Sequence, residues 1–202
     1  MNEVELIRGQ LTLERHHAAE VAKACASARA GAGWQGTTER LASLEAFRQA
    51  AVEYLVWMLS RFEEREQVFH DLLRSRFPAE DPNRRAVETA LALPGTSREA
   101  LAKLETALGA TVDSDSTAVP AGDSLAGRSV APWTDFLRFF SGAWSARRDE
   151  IDRLFERQAK VADWRTVSDI DADSIVDERS RYARVKAKLP AGIEMSPTAS
   201  HL

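Results

Sequence analysis

The sequence predicts an all-α protein: an up-down bundle of four main helices with a split third helix and an extra helix at the C-terminal end. Three observations lead there. The chain is dominated by Ala, Leu, Glu and Arg, all good helix formers. Apolar residues recur at three- and four-residue spacing over long stretches, the period of a helix with one buried face. No segment shows the alternation of a half-buried strand, and no fixed-period repeat points to a solenoid.

The first helix is expected over residues 2–30. Asn2 caps it, Glu3 and Glu5 suit its positive end, and Val4, Ile7, Leu11, Ala18, Val21 and Cys25 mark its buried face. Gly31-Ala32-Gly33 ends it. Thr37 or Thr38 caps a second helix, in which Leu41, Leu44, Ala51, Leu55, Met58, Phe62, Phe69 and Leu73 keep period down to Phe77-Pro78. That is close to 40 residues, or ~60 Å. It outruns the first helix by a third, so one end is expected to overhang, and the charged run 61–66 marks where it becomes exposed. The short glycine linker makes the two helices an antiparallel hairpin. Residues 50–59 form the most apolar stretch of the chain, with Glu53 as its only charge. They are read as the buried waist of the bundle.

Asp81-Pro82 reads as a cap with proline at the first helical position, opening a short helix to about residue 92. Pro94-Gly95 breaks it, and Thr96-Ser97-Arg98-Glu99 is a capping box for a second piece to about residue 108. Residues 110–131, rich in Ser, Asp, Thr, Gly and Ala, are expected to be a flexible loop. A long helix follows over 133–162, with Gly142 in its middle suggesting close packing there. After a connector at 163–169, Asp171 or Asp173 caps a last helix over 175–188, and 190–202 is expected to be a disordered tail. Residues 1–189 thus make one helical domain.

The 202 residues are 44% hydrophobic and 29% charged, ordinary for a globular domain. A net charge of −4 argues against a nucleic-acid partner. No run of apolar residues is long enough to span a membrane. The single cysteine, Cys25, fits a reducing compartment and a buried thiol, and the N-terminus has no signal-peptide pattern, so a cytoplasmic location is expected.

In an antiparallel hairpin, residues equally far from the turn are level. With the turn near Trp34, His17 lies opposite about position 51, within half a helical turn of Glu53; Glu14 and Glu20 flank this layer. An internal layer of histidine and carboxylate is where helical bundles build metal sites. These residues resemble the hemerythrin-like bundles, which bind iron with a His on the first helix, His-x-x-x-Glu on the second, His-x-x-x-His on the third and His-x-x-x-x-Asp on the fourth. His17 takes the first role. Gln49-x-x-x-Glu53 and Arg147-x-x-x-x-Asp152 have the second and fourth spacings, with glutamine and arginine in place of histidine. The third motif is absent. The resemblance covers about residues 3–160 in helix order. It implies iron or another divalent metal held by His17, Glu53 and Asp152. DinB-like bundles, with three histidines around one metal, fit no better.

The residues also admit plainer roles. Glu53 reads equally as a structural carboxylate paired with Arg48, Arg147 or Arg148, because a buried charge needs a partner. Glu66 and His70, four apart, suit a weak metal site or a surface pair. No phosphate-binding loop, Cys-x-x-Cys, His-Glu-x-x-His or Gly-x-Ser-x-Gly is present, so no catalytic residue is assigned. Two functions of different kinds are therefore expected: a hemerythrin-like bundle holding a metal or small ligand, or a non-enzymatic bundle that acts through protein contacts as a homodimer.

Overall fold

The computed structural model of the chain describes residues 2–30, 38–112 and 131–195. The elements are α1 (Glu3–Ala30), α2 (Thr38–Arg76), α3 (Pro82–Leu91), α4 (Ser97–Val112) and α5 (Ala131–Phe139). A π-helical turn (Phe140–Trp144) runs straight into α6 (Ser145–Gln158), and α7 (Val161–Ser168) and α8 (Ala172–Ala187) complete the chain. The described residues contain no strand, so the protein is all-α. No helix among them is long and apolar enough to cross a membrane. The glycine linker, most of the expected 110–131 loop and residues 196–202 of the expected tail lie outside the described residues.

Local chemistry fixes the helix starts. Asn2 Oδ1 accepts from Glu5 N–H while Glu5 accepts from Asn2 N–H, a reciprocal cap. Asp81 Oδ1 accepts from Asn83 N–H at 2.7 Å ahead of Pro82. Thr96 Oγ1 accepts from Glu99 N–H, and the Glu99 carboxylate accepts from the N–H groups of Thr96 and Gly95. Those backbone bonds hold its pKa below the ordinary carboxylate value. Asp171 caps α8 through Ser174 N–H.

Helices α1, α2, α4 and α5 pack in a ring, α1 on α2, α2 on α4, α4 on α5 and α5 on α1, with α8 laid against α1 and α2. Their shared core includes Ala18, Phe47, Leu55, Met58, Leu104 and Trp133. Phe136, Phe140 and Trp144 stack along it, with ring centroids 5.8 and 4.4 Å apart. Residues four apart drift by about 40° around an α-helix; the wider π turn offsets that drift and keeps the three rings on one face.

A second, smaller core joins Ile7 of α1, Phe69 and Leu73 of α2, Val87 of α3, Ile151 and Phe155 of α6, and Trp164 of α7. The far end of α2 is therefore covered by α3, α6 and α7 rather than overhanging in solvent. The run 61–66 is likewise not where α2 becomes exposed: Phe62 and Arg65 are buried. Three further expectations change. The helix expected over 133–162 ends at Gln158, and the expected connector is mostly helical (α7). It starts where Lys160 N–H donates to Asp163 Oδ2 at 2.6 Å and ends at Asp169 in the left-handed conformation. The described part of the expected tail is packed instead: Pro190 and Met195 are buried, Met195 in the larger core.

Close packing occurs at Gly95 and not at Gly142. A Cβ on Gly142 would meet nothing within 4 Å, whereas one on Gly95 would lie 2.4 Å from the carbonyl oxygen of Ala143. Gly95 also has φ +101, so the α3–α4 turn lies directly on the π turn through a residue that must be glycine. Trp144 Nε1–H secures the contact by donating to Ser97 Oγ at 3.1 Å. Gly95→Ala is expected to cost roughly 2–4 kcal/mol, from backbone strain plus overpacking, measured by urea unfolding.

Candidate functional site

The two cores are separated by a layer of buried polar groups contributed by α1, α2 and α6, with α8 closing one side. Its geometry begins at His17, on the same face of α1 as Val21 and Cys25 and almost wholly buried. His17 Nδ1 lies 2.8 Å from Glu178 Oε1 on α8. The Tyr54 hydroxyl of α2 donates to the same oxygen, also at 2.8 Å. Tyr182, one turn beyond Glu178, stacks on the imidazole with centroids 3.7 Å apart and planes 10° from parallel. Three helices are thus tied by one carboxylate oxygen and one ring stack.

One turn back along α1, Glu14 is fully buried and paired with Arg65 of α2, with Arg65 Nη1 2.5 Å from Glu14 Oε2. Gln10 Nε2 lies 3.5 Å from the other oxygen. Beside them, Glu66 accepts from both Arg147 and Arg148 of α6. Arg147 also donates through Nη1 to the carbonyls of Ala90, Leu91 and Leu93, so it closes the C-terminal end of α3. Arg15 completes the layer at its edge by reaching Asp152 at 2.6 Å.

Burial sets the electrostatics here. It pushes the Tyr54 hydroxyl far above the usual tyrosine value, and the adjacent Glu178 carboxylate adds to the effect. Burial also lowers the Arg148 guanidinium pKa, against the opposing pull of Asp152 and Glu66. The Tyr54 shift carries a prediction for alkaline solution. A raised folded-state pKa means stability that is full below the unfolded value and is lost as pH rises above it. Unfolding should therefore be eased above about pH 10, where unfolded tyrosine ionises. Tyr54→Phe should be less stable at neutral pH but show a shallower alkaline loss, as read by melting temperature against pH.

The structure gives the three residues expected to hold metal three separate sets of partners. His17 faces Glu178. Asp152 pairs with Arg15 and, at 3.8 Å, with Arg148. Glu53 is exposed, and among the described residues it accepts only from Gln49, four residues back, at 3.3 Å. The most apolar stretch, residues 50–59, is therefore not surrounded on all sides: Glu53 and Val56 face outward while Ala51, Tyr54, Leu55 and Met58 face in. The proposed arginine partners of Glu53 are also engaged elsewhere, Arg48 with Glu45 at 3.7 Å and Arg147 and Arg148 with Glu66. Among the described residues no three His, Cys, Asp or Glu side chains converge so as to hold a metal ion.

Glu66 does not pair with His70. It belongs to the arginines of α6, and His70 lies 3.6 Å from Asp71. The two residues line a cleft of about 300 Å³ beside the α3–α4 turn, where Glu63 and Arg98 also pair across the opening.

The central residues missed from the sequence are Glu178, Tyr182 and Arg65. A signal existed for each. Glu178 shares a helical face with Ile175, Tyr182 and Val185, and Arg65 lies between Phe62 and Phe69 on the buried face of α2. A charge in an apolar-face position has to find a partner from another element. No protein-family model, curated protein or solved structure matches the chain.

Proposed function

We propose that the protein is a non-enzymatic helical bundle that works through protein contacts, including self-association, and that its buried polar layer is structural. The ring of α1, α2, α4 and α5 supports reading the core as an up-down four-helix bundle, with α5 and α6 forming the long fourth helix and α3 and α4 the split third. One observation carries the functional reading: the interior carboxylates already have partners. Glu14 has Arg65, Glu66 has Arg147 and Arg148, and Glu178 has Tyr54 and His17. Guanidinium groups neutralise Glu14 and Glu66, so those two carboxylates have their counter-charge without a metal ion. A buried ionic network of this kind fixes which helix packs where, since each charge is costly against the wrong neighbour. The net charge of −4 gives no support for a nucleic-acid partner.

The rival reading, a hemerythrin-like bundle holding a metal or small ligand, draws support from one feature. Metal-binding histidines commonly donate one ring N–H to a carboxylate. With Nδ1–H directed at Glu178, Nε2 is left buried with no hydrogen-bond partner among the described residues, as is Glu178 Oε2. Elemental analysis decides between the two. Full-length protein purified without chelator should carry well under one equivalent of iron, zinc or manganese per chain. A stoichiometric metal that His17→Gln removes would establish the rival.

A further inference from the structure

Helix α8 buries Glu178, Tyr182 and Val185 and turns its opposite face to solvent. On that face Val176 is 65% exposed, the highest value among the large apolar side chains described. Ser180, Ala183 and Ala187 extend the exposed face toward the C-terminus. Asp173, Asp177, Arg184 and Lys188 run along one edge of it. Their spacings of four, seven and four residues keep them on a single helical edge. Asp173, Arg184 and Lys188 pair with no other described residue, and Asp177 has only Arg181 of its own helix, at 2.9 Å.

We infer that this face is a self-association surface on which α8 of one chain packs antiparallel against α8 of a second copy. The inference rests on the interaction reading above. Charge complementarity along the helix supports it. A twofold axis level with the peptide between Ser180 and Arg181 sets Asp173 opposite Lys188 of the second copy and Asp177 opposite Arg184. The same axis sets Val176 between Ala183 and Ala187 of the second copy, an apolar knob over a small-residue hole. A twofold keeps equivalent edges on the same side of the contact, so the two charged edges meet along their length. Parallel pairing would instead set Asp against Asp and Arg against Arg. The helix dipole alone favours acidic residues early and basic residues late. It does not require that four of them share one edge and match when the helix is inverted.

Sedimentation of the full chain tests this. The wild type should be dimeric at roughly 100 μM, a concentration that populates any interface of micromolar affinity. Asp173→Lys/Asp177→Lys makes the edge wholly positive, and Arg184→Glu/Lys188→Glu makes it wholly negative. Each variant should keep wild-type helicity and lose dimer affinity by about 100-fold or more. Mixing the two should restore a dimer containing one of each. Val176→Glu should give the same loss through one exposed substitution. A monomeric wild type at that concentration, variants as dimeric as wild type, or a mixture that does not recombine would each overturn the α8 pairing. A dimer indifferent to all four charges would leave the interaction reading intact, whereas tightly held stoichiometric metal would remove that reading itself.

Discussion

Arg65→Met is expected to destabilise the protein by about 3–5 kcal/mol, because it leaves the fully buried Glu14 carboxylate without its cation. That is a large part of the roughly 5–15 kcal/mol that holds a domain of this kind together. Gln10, at 3.5 Å, offers one weak amide contact and cannot replace a guanidinium. The compensating experiment is the informative one. Arg65→Met/Glu14→Leu removes both charges and leaves apolar groups of similar bulk between the two cores. The double variant should return to within about 1 kcal/mol of wild type, since a buried ion pair contributes little net stability once both members are gone. A double-mutant cycle by urea unfolding measures the difference.

Arg147→Met is the second large effect, expected to cost about 3 kcal/mol or more. Its Nη1 serves the carbonyls of Ala90, Leu91 and Leu93, and its Nε and Nη2 serve Glu66. Each buried acceptor left unpaired costs about 1–3 kcal/mol. Arg148 still reaches Glu66 at 3.3 Å, so that carboxylate keeps one partner, and the damage concentrates on α3. Amide exchange should accelerate first across α3 and the α3–α4 turn, with the hairpin of α1 and α2 less affected. Arg147→Lys should rescue only part of the loss. An ammonium is a single point of charge and cannot span a carboxylate and a helix end at once.

Helix starts were legible because capping is local: Asp81-Pro82, the Thr96–Glu99 box and Asp171 act within three residues of themselves. The break between α3 and α4 follows from Pro94-Gly95 for the same reason, and the burial of Cys25 from its place in an apolar period. What could not be read was azimuth. Hairpin register puts Glu53 level with His17, but level is not orientation. Tyr54, the next residue, is turned ~100° around the helix and faces the interior, while Glu53 faces water. The histidine then finds its partner on α8, 161 residues away, across a connection that no local spacing encodes. Gly142 misled for a related reason. A mid-helix glycine signals either close approach or tolerance of an irregular turn, and here it accompanies a π turn, while the contact falls on Gly95 of another segment. The charged run 61–66 looked exposed because its charges were counted without partners from other elements: Glu14 of α1 for Arg65, the Asp169 carbonyl for Arg61, and Arg147 and Arg148 of α6 for Glu66.

If the buried polar layer is structural, as proposed, its partnered carboxylates gain nothing from a metal ion. Thermal unfolding of chelator-treated protein, with and without added Fe(II), Zn(II) or Mn(II), tests it most directly. A metal bound only by the folded state at about 100 times its Kd would add about 2.7 kcal/mol, enough to raise Tm by roughly 5–10 °C in a chain of this size. Tm should stay within about 1 °C of the metal-free value for all three metals. A rise of several degrees that saturates at one equivalent and disappears in His17→Gln would contradict it.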